Sequence, residues 1–115
     1  MSKRGEIESL GDIVEAIRRI KAYMKGLKYE SFLKDTKTQD AVICNLQIIG
    51  EATKNISGEF RKTYPEIPWH NMAGVRDKLV HHYFGVNYEI VWAICKEDLK
   101  GIEPRIKEIT AKSKI

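Results

Sequence analysis

From Ile7 to Leu27, the apolar residues Ile7, Leu10, Ile13, Val14, Ile17, Ile20, Met24 and Leu27 fall three or four positions apart. That spacing gathers them on one stripe of an α-helix and on no single face of a strand. A stripe this long must be covered by other helices, which confines the chain to helix-on-helix packing. Ser9 and Asp12 have the spacing of a capping box, and Gly26 is placed to stop this first helix. "YESFLKDTKT" has room for one short turn, after which Thr38 is expected to cap a second helix over 39–56, with Asp40 in its first turn. "SGEFRKTYPEIP" reads as a connection with turn signals at Gly58, Pro65 and Pro68. The third helix is expected from Pro68 toward Gly85. Asn87 caps a fourth carrying Val91, Cys95, Leu99, Ile102, Ile106 and Ile109, kinked or divided at Pro104. No repeat and no long alternating run occurs. The expected fold is all-α, an up-and-down bundle of about four helices, and 115 residues form a single domain over 1–115.

The second helix has apolar residues on two sides, Val42, Ile43, Leu46 and Ile49 on one and Ala41, Ile48 and Ala52 on another, so it should be the most buried element. Asp40, Cys44, Gln47, Glu51 and Asn55 share a polar stripe that faces either solvent or a groove. Gly50 would let a neighbouring helix approach closely, at a cost of roughly 1 kcal/mol in helix propensity. Cys44 and Cys95 lie far apart within helical patterns and are read as buried small hydrophobes, which suits a reducing cytoplasm. "MSKRGEIES" lacks the apolar core of a signal peptide, and no run nears the roughly 18 apolar residues of a membrane span; a cytoplasmic protein without a membrane partner is expected. The net charge of +4 gives a mild preference for polyanions.

Chemistry concentrates in "VRDKLVHHYFG", residues 75 to 85. On a regular helix Arg76 and Tyr83 lie within roughly 20° of each other, whereas His81 is about 140° round from Arg76. A long arginine side chain, or a helix that loosens before Gly85, would have to close that gap. Asp77, four residues before His81, can orient its imidazole. Arginine offers a forked cationic donor array for phosphate, and histidine exchanges protons near neutral pH. Cleavage of RNA suits the pair, because the substrate brings its own 2′-OH nucleophile and no metal is required. One useful histidine per chain is one short of a separate acid and base, which a two-fold dimer would supply; His82 points 100° from His81. The competing reading is a solvated, Arg/His-rich helix end. Adjacent His81 and His82 do not easily share an ion, His70 lies elsewhere and the cysteines form no CxxC pair, so no metal site is expected. Phosphate-binding and dinucleotide-binding glycine patterns are absent, as is a nucleophilic-serine elbow. Trp69 and Trp92 are read as core or interface residues.

"RDKLVHHY" reads Arg, four residues, His, any residue, Tyr, and resembles the signature of the HEPN superfamily ribonucleases in its HepT toxin branch. "DAVICNLQIIGEATKNIS" resembles that family's second-helix segment, and "YPEIPWHNMAGVRDKLVHHYFGVN" its approach to and exit from the motif helix. Cys44 departs from the pattern, standing where an arginine would be expected. The resemblance implies an all-helical, HEPN-like, homodimeric and metal-independent endoribonuclease without cofactors. Arg76 and His81 would be its catalytic pair, in a cleft between protomers. It further implies a toxin acting on transfer or messenger RNA, paired with a nucleotidyltransferase antitoxin that adds AMP to Tyr83. A phosphate there would block the cleft and neutralise Arg76. The alternative is a non-catalytic helical module that binds nucleotide or a nucleotidyltransferase.

Overall fold

A computed structural model describes residues 3–79 and 86–113; the side chain of Arg76 lies outside the described set. Every regular element is helical: α1 Lys3–Met24, α2 Tyr29–Lys34, α3 Thr36–Lys54, α4 Gly58–Thr63, α5 Trp69–Ala73, α6 Val75–Leu79, α7 Tyr88–Ala93, a π-helical turn Ile94–Asp98, and α8 Leu99–Ser113. No β-strand occurs among the described residues, and the all-α bundle expected from the apolar spacing is the one formed.

The stripe on α1 does what its spacing requires. Leu10, Ile13, Ile17, Ile20 and Met24 are buried, packed chiefly against α3 and then α8. Gly26 stops the helix in the left-handed region at φ 71°, a conformation open to glycine at little cost. The helix starts earlier than the Ser9–Asp12 spacing predicts: Ser9 lies inside α1 and is buried rather than capping it. The buried carboxylate of Glu6 accepts from the backbone N–H and the hydroxyl of Ser57, a contact from beyond α3 that favours an earlier start.

Helix α3 also begins earlier than expected. Asp35, not Thr38, is its cap: the Asp35 carboxylate accepts from the Thr38 N–H at 3.0 Å and the Thr38 hydroxyl at 2.7 Å. These bonds hold the Asp35 carboxyl below its usual range, the side-chain bond from Thr38 contributing most. Val42, Leu46 and Ile49 are buried, while Ile48 on the second apolar side is exposed. Cys44 is exposed as well, which corrects its reading as a buried hydrophobe, whereas Cys95 is buried and its thiol is pushed up to about 12 by burial. The polar stripe faces solvent and lines a shallow depression of about 300 Å³ with Asp12 of α1.

The stretch read as a plain connection contains α4, whose N-terminus is capped by Ser57 accepting from the Phe60 N–H. Its Arg61 donates to the Thr53 and Ile56 carbonyls, satisfying acceptors at the end of α3. Trp69 is buried and donates its indole N–H to the Tyr64 carbonyl at 2.9 Å, while Trp92 packs edge-on against Tyr29 and beside Phe32; both tryptophans serve the packing.

The fourth helix is divided, but not at Pro104, which sits inside α8. The division is the π-helical turn at Ile94–Asp98. Its physical reason lies in the apolar stripe. Val91, Cys95 and Leu99 are all buried, yet steps of four residues drift by about 40° each on a 3.6-residue helix. A wider turn absorbs that drift and keeps all three against the core. No helix among the described residues is long and apolar enough to cross a membrane.

Candidate active site

The third helix is not continuous from Pro68. It breaks at Gly74, the weakest helix former in the segment, into α5 and α6. The corner docks on α3 where α3 has no side chain. A Cβ built at Gly50 would lie 3.2 Å from Val75 Cγ1, 3.5 Å from the Met72 carbonyl oxygen and 3.7 Å from that of Ala73. The close approach foreseen at Gly50 is thus the seat of the corner that leads into the Arg/His motif.

Val75 and Leu79, four residues apart, are buried and fix the rotation of α6. Arg76 is the second residue of α6, and its backbone is helical. Asp77 is exposed, and its backbone N–H donates to the Gly74 carbonyl. His81, His82 and Tyr83 lie outside the described residues, as does any approach of Arg76 to His81 or of Asp77 to His81. The described chain re-enters at Val86, where the Asn87 N–H donates to the Leu79 carbonyl at 2.8 Å. Asn87 then caps α7 as expected, its side chain accepting from the Ile90 N–H at 3.2 Å. The described ends of the motif segment are therefore joined by this backbone bond, with α6 on one side and α7 on the other.

Beside α6 lies a cavity of about 470 Å³ between α3, the α5–α6 corner and the fourth helix. Leu46, Ile49, Val75 and Leu99 contribute apolar surface; Lys78 and Arg105 bring positive charge, Glu66 and Asp98 negative. Such a cavity offers apolar contact and hydrogen bonding without a strong net field. Lys78 and Arg105 were not singled out from the sequence. Lys78 stands within the quoted motif, but only the fold reveals that Arg105 of α8 lines the same space. Among the described residues no cluster of three or more His, Cys, Asp or Glu is arranged to hold a metal.

Comparison with known proteins places these features in a family. The model of the family described as "Ribonuclease HepT-like" matches residues 13–109. A Methanocaldococcus jannaschii protein provisionally named as an RNase is 47% identical over 113 residues, 95% of this chain and 93% of its own length. "Probable ribonuclease HepT" of Thermococcus cleftensis is 46% identical over 107 residues, covering 93% of this chain and 97% of that one. A further protein provisionally named as an RNase, from Caldanaerobacter subterraneus subsp. tengcongensis, is 45% identical over 91 residues, 79% of this chain and 81% of its own. No solved structure matches. The match to the family model runs from Ile13, midway along α1, to Ile109, the last buried residue described in α8, and on that ground the chain belongs to the HepT-like ribonuclease family.

Proposed function

We propose that this chain is a metal-independent endoribonuclease in which Arg76 and His81 act on one phosphodiester, and that it serves as the toxin of a toxin–antitoxin pair. The observation that carries the reading is the Arg-x4-His-x-Tyr motif, in a HepT-like chain, begun on α6 and closed off by the Leu79–Asn87 bond. His81 exchanges the protons of the 2′-OH and the leaving 5′-oxygen, and Arg76 stabilises the charge that builds on the phosphorus. Attack by the 2′-OH forms its bond to phosphorus as the bond to the 5′-oxygen breaks, leaving a 2′,3′-cyclic phosphate and a 5′-hydroxyl. Asp77 orients His81. A homodimer in the cytoplasm supplies the second acid/base group by symmetry.

In this reading a nucleotidyltransferase antitoxin attaches AMP to the Tyr83 hydroxyl. The added phosphate then competes with RNA for Arg76. The test has two parts. Transfer RNA incubated with the purified, unmodified protein in EDTA should yield fragments ending in cyclic phosphate. Protein co-expressed with the transferase should carry AMP on the Tyr83 peptide and cleave no RNA. Fragments with 3′-hydroxyl ends, or cleavage that EDTA abolishes, would overturn the mechanism; tight transferase binding with no turnover under any condition would establish the non-catalytic docking module instead.

A further inference from the structure

Three of the cavities among the described residues differ in charge. Among the described residues, the depression beside Cys44 is lined by Asp12 and Glu51 and no cation, and the cavity beside α6 by two acids and two bases. The third, about 420 Å³, lies between the C-terminal end of α1 and the π-helical turn of the fourth helix. Four lysines line it, Lys21, Lys25, Lys96 and Lys100, with no acidic residue among its described lining. We propose that this lysine-rimmed groove is a second RNA contact, a phosphate-backbone site that holds a folded RNA apart from the motif segment. The proposal rests on the ribonuclease reading for its choice of polyanion.

The lysines are arranged rather than scattered. Lys21 of α1 and Lys25 just past its end, and Lys96 of the π-helical turn and Lys100 of α8, are each four residues apart, so two like-charged pairs face one groove. Like charges gathered on one groove repel, and a bound polyanion relieves the repulsion. Lys96 is held in place: its ammonium donates to the Met24 carbonyl at 3.0 Å and lies 4.9 Å from the Trp92 ring centre. Lys21 is partly neutralised by Glu103 at 2.7 Å. Lys25 and Lys100 are exposed and have no ion pair among the described residues, which leaves their charge available to phosphate.

Position gives the site its meaning. At 1.5 Å per residue, Lys96 and Lys100 stand about 13 and 20 Å along the fourth helix from Asn87, where the motif segment is closed. An RNA duplex is more compressed along its axis than the roughly 3.4 Å per phosphate of a DNA strand, so at least about four to six phosphates separate the groove from that closure. A dinucleotide, with a single internal phosphate, cannot place one phosphate at the motif and another in the groove; a stem can.

The experiment measures binding of a 2′-O-methyl RNA hairpin, which lacks the nucleophile and cannot be cleaved, by fluorescence anisotropy across salt concentrations. It compares the unmodified protein with Lys25→Ala/Lys100→Ala and with a control of equal charge, Lys34→Ala/Lys62→Ala. The groove variant should bind about tenfold more weakly at moderate salt and lose roughly two units of salt slope, one per phosphate contact; the control should retain the slope. In cleavage assays the same variant should raise KM on transfer RNA and leave a dinucleotide substrate unaffected. A wild-type slope in the groove variant overturns the proposal even if the protein cleaves RNA. Lysine-dependent binding without cleavage sustains the groove and removes the catalytic reading. Lysine-dependent binding to anionic vesicles, with RNA binding unchanged by the substitutions, also overturns it.

Discussion

The backbone N–H of Asn87 donates to the carbonyl of Leu79 across 2.8 Å, while the side chain of the same asparagine caps α7. One residue thus closes the segment that contains His81 and Tyr83 and starts the helix that follows. Replacing Asn87 by Ala removes the cap but leaves the backbone donor. The expected cost is about 1 kcal/mol of stability. Hydrogen exchange should quicken first at the Ile90 amide and then at Asn87, and RNA cleavage should fall by more than the folded fraction accounts for. Unchanged exchange at both amides would show that the cap does not steady this closure.

Gly50 seats the α5–α6 corner. An alanine there gains helix propensity of roughly 1 kcal/mol but presses on Val75 Cγ1 at 3.2 Å, so Gly50→Ala should change stability by less than about 1 kcal/mol. Gly50→Leu has no such escape, because the Met72 carbonyl is backbone. It should cost about 1–3 kcal/mol and displace α6, lowering cleavage at temperatures where the protein remains folded. Thermal melts beside activity measurements check this; a leucine variant of wild-type stability and activity would show that the corner is not held by close approach.

Glu103 of α8 links α8 to α1 by accepting from Lys21 at 2.7 Å, and pairs with Lys107 at 3.5 Å. Burial raises its pKa, but the Lys21 hydrogen bond and the two lysine charges outweigh burial, leaving the carboxyl below its ordinary value of 4.5. A depressed folded-state pKa stabilises the fold above the unfolded value, and that contribution is lost as pH falls through the folded value. Glu103→Gln should therefore be about 1 kcal/mol less stable than the wild type near pH 7. The gap should begin to close as pH falls past about 4.5. A gap independent of pH down to acid unfolding would contradict the ion-pair account.

How much of this was legible in the sequence follows the range of the forces involved. Local signals are legible: the α1 stripe, the Gly26 stop and the Asn87 cap all depend on neighbours close in sequence, whereas at Gly50 the sequence shows the missing side chain but not that Met72, Ala73 and Val75 fill the space. Non-local contacts were invisible. Nothing near Ser9 tells that Glu6 will be satisfied by Ser57, and nothing in the Cys95 region tells that a π turn, rather than Pro104, will divide the fourth helix. Thr38 lost the cap to Asp35, a carboxylate three residues earlier that accepts from both the Thr38 backbone and its hydroxyl. At the site, the motif itself was legible, as was the helical placement of Arg76. The lysine groove was half legible: each four-residue pair can be read from the chain, but their meeting across two helices depends on the fold.

The central claim is that the Arg76 guanidinium and the His81 imidazole act together on one RNA linkage without a metal. The most direct measurement is the single-turnover rate of transfer RNA cleavage in EDTA by unmodified protein, beside His81→Ala and Arg76→Ala, each shown by circular dichroism to be folded. Loss of roughly 10² to 10⁴ in rate for His81→Ala is predicted, with a comparable loss for Arg76→Ala and no further loss when both are combined. Equal rates in all three proteins would contradict it.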